Sequence, residues 1–183
     1  MTEITIFGRG GQGAVTSAEL MAISAIKQGK FAQAFPSFGP ERRGAPVKAF
    51  ARIDDKYIRT RENIYLCDIM IVLDYKLAKT FDIKAELKPG GIIIVNTHLS
   101  EKEMRELLRN YDGKLAIINA TKIAIEELGV PIVNTTMLGA FIKVTGLIDK
   151  ALMEEALKER FGKRAEQNIK AFNRAMEEVK IYN

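Results

Sequence analysis

Gly8, Gly10 and Gly13 stand in a G-x-G-x-x-G arrangement within Phe7-Gly8-Arg9-Gly10-Gly11-Gln12-Gly13-Ala14, and an alternating apolar run over residues 4–7 leads straight into it. Few features restrict a chain more. The glycines permit a tight strand-to-helix turn and let a phosphate approach backbone N–H groups. From Ala14 the apolar residues Val15, Leu20, Ile23 and Ile26 fall at helical spacing, so the glycines sit between a strand and the N-terminus of a helix. A β-turn-α unit therefore opens the chain. The same glycines would also serve close helix–strand packing, and the residues alone leave ligand contact and packing both open. A dinucleotide site further wants an acidic residue about 20 positions on, to hold a ribose. Residues 27–40 contain no Asp or Glu, which counts against ordinary NAD binding.

The length, 183 residues, predicts a single domain over 1–183 with one sizeable core. A net charge of +5 is too modest to indicate nucleic acid, and no aromatics interleave the basic residues as a stacking platform would. Cys67 is the single cysteine and His98 the single histidine. One thiol holds neither an iron–sulfur cluster nor an internal disulfide, and His98 has no second His or Cys with which to share zinc. Cys67 lies in an apolar run and reads as a small buried hydrophobe. No apolar run approaches the ~20 residues that span a bilayer, and the N-terminus enters a strand without the regions of a signal peptide. The expectation is a cytoplasmic protein with no membrane and no nucleic acid.

Residues 31–35 read as a second strand, followed by Pro36-Ser37-Phe38-Gly39-Pro40-Glu41-Arg42-Arg43-Gly44-Ala45-Pro46. Three prolines and two glycines around paired arginines make this a shaped loop. Forked guanidinium donors suit phosphate or carboxylate, although a solvated turn with a surface ion pair to Glu41 accounts for the composition equally well. Residues 47–53 alternate, and Asp54-Asp55-Lys56 is expected to turn them into 57–60 as a hairpin. Between Arg42 and Arg61 seven cations face only Asp54 and Asp55. Such a strand face either draws an anion or is simply solvated.

The remaining pattern is strand and helix in alternation: strand 69–73, helix from Asp74 to about 87, turn 88–91, strand 92–95, helix 101–109 capped at Ser100 with Glu103, strand 115–118, helix 120–128, strand from 131 to 133, and a helix after Asn134-Thr135-Thr136-Met137-Leu138-Gly139-Ala140. Two further helices follow, one starting at Asp149 and one over 165–179 with Ile169, Phe172, Met176 and Val179 as its stripe. That stripe faces either the core or a partner. The fold class expected is α/β, a Rossmann-like open, mainly parallel sheet with helices on both faces and C-terminal helices.

Taken together, the glycine turn, the loop through Gly39-Pro40-Glu41-Arg42 to Gly44, and the stretch from Asn134 to Ala140 resemble the gamma subunit of the 2-oxoacid:ferredoxin oxidoreductases, the pyruvate and branched-chain enzymes especially. The resemblance covers the whole chain. It implies a pyruvate synthase-type complex of alpha, beta, gamma and delta-type subunits that decarboxylates a 2-oxoacid oxidatively, reduces ferredoxin and yields acyl-coenzyme A. Thiamine diphosphate and the iron–sulfur clusters then reside on partner subunits, and this chain alone is inactive, with no cofactor of its own and no catalytic or metal-binding residue. The coenzyme A side of the reaction is where the family places such a domain. On that footing Gly8, Arg9, Gly10, Gly11, Gln12, Gly13, Arg42, Arg43 and Gly44 are the candidate cofactor-facing residues, meeting at the sheet's carboxyl edge. A free-standing nucleotide-binding oxidoreductase and a purely structural adaptor are the competing readings.

Overall fold

The computed structural model describes residues 1–37 and 44–183. Within them seven strands form one sheet: β1 (Thr2–Arg9), β2 (Phe31–Pro36), β3 (Pro46–Asp54), β4 (Cys67–Val72), β5 (Leu87–Asn96), β6 (Lys114–Ile118) and β7 (Lys180–Tyr182), in the spatial order β2-β3-β1-β4-β5-β6-β7. The four strands β1, β4, β5 and β6 run parallel. At the edges β3 pairs antiparallel with both β1 and β2, and β7 antiparallel with β6. The sheet is thus mixed, parallel in its centre, and the insertion of antiparallel β3 departs from an all-parallel doubly wound order.

Apolar side chains on both faces explain why the central strands are buried. Ile4, Ile6, Ile71 and Ile94 point to the face covered by α1 (Ala14–Lys27), α3 (Ala120–Leu128), α4 (Asn134–Thr145), α5 (Lys150–Phe161) and α6 (Ala165–Glu178). Phe7, Met70, Val72, Ile93 and Val95 point to the other, under α2 (Glu101–Leu107) and the segment that joins β4 to β5. This is the two-period alternation that a strand imposes. Helices flank both faces, five on one and one on the other.

Capping residues set several helix starts where the sequence places them. Ser100 and Glu103 form the expected capping box before α2, with Ser100 N donating to Glu103 Oε2 at 2.8 Å. Asp149 accepts from Ala151 N at 2.7 Å and so opens α5. The stripe on α6 faces the core, with Phe172 fully buried and Ile169, Met176 and Val179 packed against the same cluster. Gly139 of α4 lies against α6 so closely that a Cβ would collide with the carbonyl oxygen of Phe172.

Four expectations are corrected. Residues 57–60 form no strand, because both edges of β3 are already taken by β1 and β2; the chain instead folds back over the sheet, burying Ile58 and Ile64. The helix expected from Asp74 to 87 is two short 3₁₀ turns, Tyr75–Lys79 and Lys84–Glu86, since Asp74 and Asp82 each turn their carboxylates onto nearby backbone N–H groups. Residues 88–91 are not a separate turn but the bulged entry of β5. Residues 131–133 form no strand either: β7 occupies the outer edge of β6, and Val133 caps α4.

The expected cationic strand face is also absent as such. Lys48 pairs with Glu86 at 2.6 Å, and Arg52, 2% exposed, donates to Glu3 at 2.9 Å and to the Glu62 carbonyl at 2.7 Å. Burial opposes charge on Glu3, but hydrogen bonds from Arg52 and Lys88 outweigh it and hold the carboxyl below its ordinary value of 4.5. A lowered folded-state value means that the native state binds fewer protons. The pair's stabilisation is complete above pH 4.5 and fades as pH falls through the lowered value. Glu3→Gln should therefore cost about 3 kcal/mol at neutral pH, measured by urea unfolding, and the gap to the natural protein should close in acid. Gly139→Ala should cost about 3 kcal/mol by forcing α4 off α6, and a thermal midpoint unchanged from the natural protein would refute that packing account.

Candidate functional site

The glycine turn is built by three different demands. Gln12 N donates to Arg9 O at 3.0 Å and closes a turn in which Gly11, at φ +95°, occupies the position that requires a left-handed backbone. Gln12 also folds back, its Oε1 accepting from Arg9 N at 2.7 Å. A Cβ at Gly8 would lie 3.1 Å from that oxygen and 2.9 Å from Leu73 Cδ1, so Gly8 makes room for the fold-back. Gly13, at φ +84°, is the N-cap of α1, and a Cβ there would stand 2.7 Å from Asn134 Nδ2. The first stretch and the third thus touch directly.

Backbone bonds bring the loop's described end into the same place. Gly10 N donates to Ala45 O at 2.9 Å and Gly44 N donates to Gly10 O at 3.1 Å. Arg9 spans the junction: its Nε donates to Asp74 Oδ2 at 2.6 Å and its Nη1 to the Gly44 carbonyl at 3.2 Å. Arg9 is accordingly a clamp whose charge is matched by Asp74. Arg42 and Arg43 lie outside the described residues.

These elements stand where the connections diverge. The helix after β1 covers one face, while the β4–β5 and β5–β6 connections cover the other, and open α/β sheets place ligands at such a point, outside the carboxyl ends of the strands. A cleft of about 350 Å³ occurs there, walled by Gln12, Leu73, Asp74, Tyr75, Lys76, Asn96, Thr97, His98, Asn119 and Thr121. Asn96 is its fixed floor. Its Nδ2 donates to Leu73 O and to Thr121 Oγ1, each at 2.9 Å, and its Oδ1 accepts from Thr121 N at 3.1 Å. His98 is a loop residue at a strand's end, as the sequence indicates, stacked edge-on against Tyr75 at 5.4 Å. Sequence reasoning missed Asn96, Asn119 and Thr121. An Asn closing each of two apolar strands, ahead of a helix, is the signal that would have found them.

At the glycine turn the chemistry on offer is that of backbone donors and a helix dipole, and the adjoining cleft adds the side chains of Asp74, Tyr75, Lys76 and His98. No side chain caps α1, and its first turn holds no acidic residue, so the positive end of its dipole faces the turn. An anion would be favoured there. Cys67 is buried under the sheet, its thiol pushed up to about 11 by burial, and it stays protonated at neutral pH.

Fold and turn together define an α/β protein whose glycine turn, at the carboxyl edge of the sheet, is built of backbone and amide groups. A family model for pyruvate ferredoxin/flavodoxin oxidoreductase matches residues 3–178. The pyruvate/ketoisovalerate oxidoreductases common subunit gamma of Thermococcus kodakarensis is 53% identical over 183 residues, covering 100% of this chain and 99% of that one. Pyruvate synthase subunit PorC of Methanothermobacter thermautotrophicus is 47% identical over 180 residues, with 98% and 96% covered. The crystal structure of pyruvate oxidoreductase subunit PORC from Thermotoga maritima superposes with a TM-score of 0.89 at 35% identity, covering 100% of this chain and 98% of that one. The chain belongs to the pyruvate ferredoxin/flavodoxin oxidoreductase family, among its gamma, or PorC-type, subunits.

Two substitutions separate the demands on the turn. Gly11→Ala meets open space and should cost only the backbone penalty, about 1 kcal/mol. Gly13→Ala adds the collision with Asn134, and should lower the thermal midpoint further than Gly11→Ala does, by about 2–4 °C for each additional kcal/mol lost in a chain of this size. Equal effects of the two would refute the contact between α1 and α4 as the reason for Gly13.

Proposed function

We propose that this chain is the gamma subunit of a complex that oxidatively decarboxylates pyruvate, or a closely related 2-oxoacid, to acyl-coenzyme A and carbon dioxide with reduction of ferredoxin. The chain itself is not catalytic. It packs on thiamine diphosphate-binding subunits in a cytoplasmic assembly with alpha, beta and delta-type partners. The observation that carries this reading is end-to-end identity with gamma and PorC-type subunits. One of these is described as common to pyruvate and ketoisovalerate enzymes, which fits a chain that does not itself select the 2-oxoacid.

Coenzyme A is the ligand proposed for the glycine turn and its neighbouring loop. The uncapped, acid-free start of α1 and the open space beside Gly11 suit a phosphate, and Gly44 is bonded to Gly10. Gly8, Arg9, Gly10, Gly11, Gln12, Gly13 and Gly44 would shape that contact, with Arg42 or Arg43 supplying charge. Coenzyme A brings the acceptor thiol; this chain's residues bind and orient its anionic end. A purely structural role competes, favoured by the engagement of Arg9 with Asp74 and of Gly13 with Asn134.

Steady-state kinetics of the purified complex decide between the two. Arg42→Ala and Arg43→Ala should raise the KM for coenzyme A about tenfold or more, the loss of one charged hydrogen bond, with kcat less affected. Unchanged KM with an intact complex removes the coenzyme A role and leaves the structural one.

A further inference from the structure

The two edges of the sheet are treated differently. β7 is three residues long and begins with Lys180, the short, charged kind of edge that resists pairing with foreign strands. β2 is twice as long and carries no charge in Phe31-Ala32-Gln33-Ala34-Phe35-Pro36. Its register fixes which backbone groups are free. Ser37 N donates to Lys48 O, directly opposite in the β2–β3 alignment, so the bonded positions going backwards are Phe35, Gln33 and Phe31. The N–H and C=O groups of Ala32 and Ala34 therefore point outward, and no other described residue bonds them.

Beside this edge lies a hollow of about 400 Å³ bounded by Ile26, Phe31, Ala32, Tyr57 and Arg61. Phe31 and Tyr57 meet edge to face at 5.8 Å and are 44% and 64% exposed. Lys56, Arg59 and Arg61 are exposed around it and form no ion pair with any other described residue. A strand edge that no described residue pairs, an apolar hollow beside it and cations that no described carboxylate matches are the three parts of a strand-addition site.

We propose that β2 receives an extended segment of another subunit of the same complex, one that pairs with Ala32 and Ala34, seats a large apolar side chain against Phe31 and Tyr57, and presents carboxylates to Arg59 and Arg61. The segment adds an eighth strand and buries the one long open edge. The inference rests on the subunit reading.

Amide hydrogen exchange, compared between the isolated full chain and the purified complex, tests it. The Ala32 and Ala34 amides should exchange quickly in the isolated chain and at least about tenfold more slowly in the complex. The double variant Arg59→Glu with Arg61→Glu should loosen the complex at least about tenfold at low salt, and less at high salt. Equal, fast exchange in both samples overturns the proposal. So does protection already present in a monomeric isolated chain. Protection that grows with concentration, together with a doubled hydrodynamic mass, replaces the partner with a second copy. If the chain does not purify with larger subunits, the proposed function fails as well; if it does and the β2 amides stay fast, only this inference fails.

Discussion

The contact of Gly13 with Asn134 is the constraint on which the rest of the site depends. It sets the N-terminus of α1 against that of α4, and α4 is buried at all but two of its twelve residues. One helix is thus pressed from two sides, by Gly13 at its start and by α6 against Gly139 at its middle. Neither approach tolerates a Cβ, so the glycine turn cannot shift without moving the helical layer behind it. Rigidity of that kind suits a site made of backbone groups, whose donors have no rotamers with which to adapt.

Much of this was legible in the sequence because the signals are local. Capping residues announce the starts of α2 and α5, continuous apolar runs announce β4 and β6, and the glycines announce the turn. What was not legible is decided at a distance. Residues 57–60 have the composition of a strand, but β1 and β2 had already filled both edges of β3. β7 has only three residues and exposes Ile181, too little to register as a pattern until β6 offers its free edge. Arg52 reads as a surface cation on an alternating strand. It is buried because Glu3, 49 positions earlier in the chain, stands beside it across β1 and β3.

The site divides the same way. Gly8 to Gly13 and Gly44 could be picked out by type and spacing, and the structure brings them together through Gly10. Their individual roles could not be. Arg9 looks like a free cation for a phosphate, yet Asp74, 65 residues away, takes its Nε. The third stretch looked like a loop leading into a helix and proved to be the helix itself, with its polar residues Asn134 and Thr135 turned inward to Gly13 and Asn168. Asn96 went unnoticed because a polar residue at the end of an apolar run reads as the run's end. Its amide in fact ties β4 to α3 across the carboxyl edge.

Charge follows from these pairings. The basic residues nearest the sheet are matched: Lys48 by Glu86, Arg52 by Glu3, Lys88 by Glu3 and Asp68, Arg9 by Asp74. The net +5 of the chain is therefore not spread over the strand face, where the sequence first suggests it; among the described residues Lys56, Arg59 and Arg61 are exposed and in no ion pair, while helix-surface cations such as Lys27, Lys170 and Arg174 are matched by carboxylates. In a subunit, cations left unmatched at the surface are available for carboxylates on neighbouring chains, whereas those beneath the sheet are committed to holding it together. The chain's chemistry is accordingly held in two places: the pair of Arg52 with Glu3 and the close contacts of Gly13 and Gly139 fix the sheet and the turn at its carboxyl edge, while the exposed cations without a partner among the described residues, Lys56, Arg59 and Arg61, stand apart from that turn, near the Phe31 end of β2.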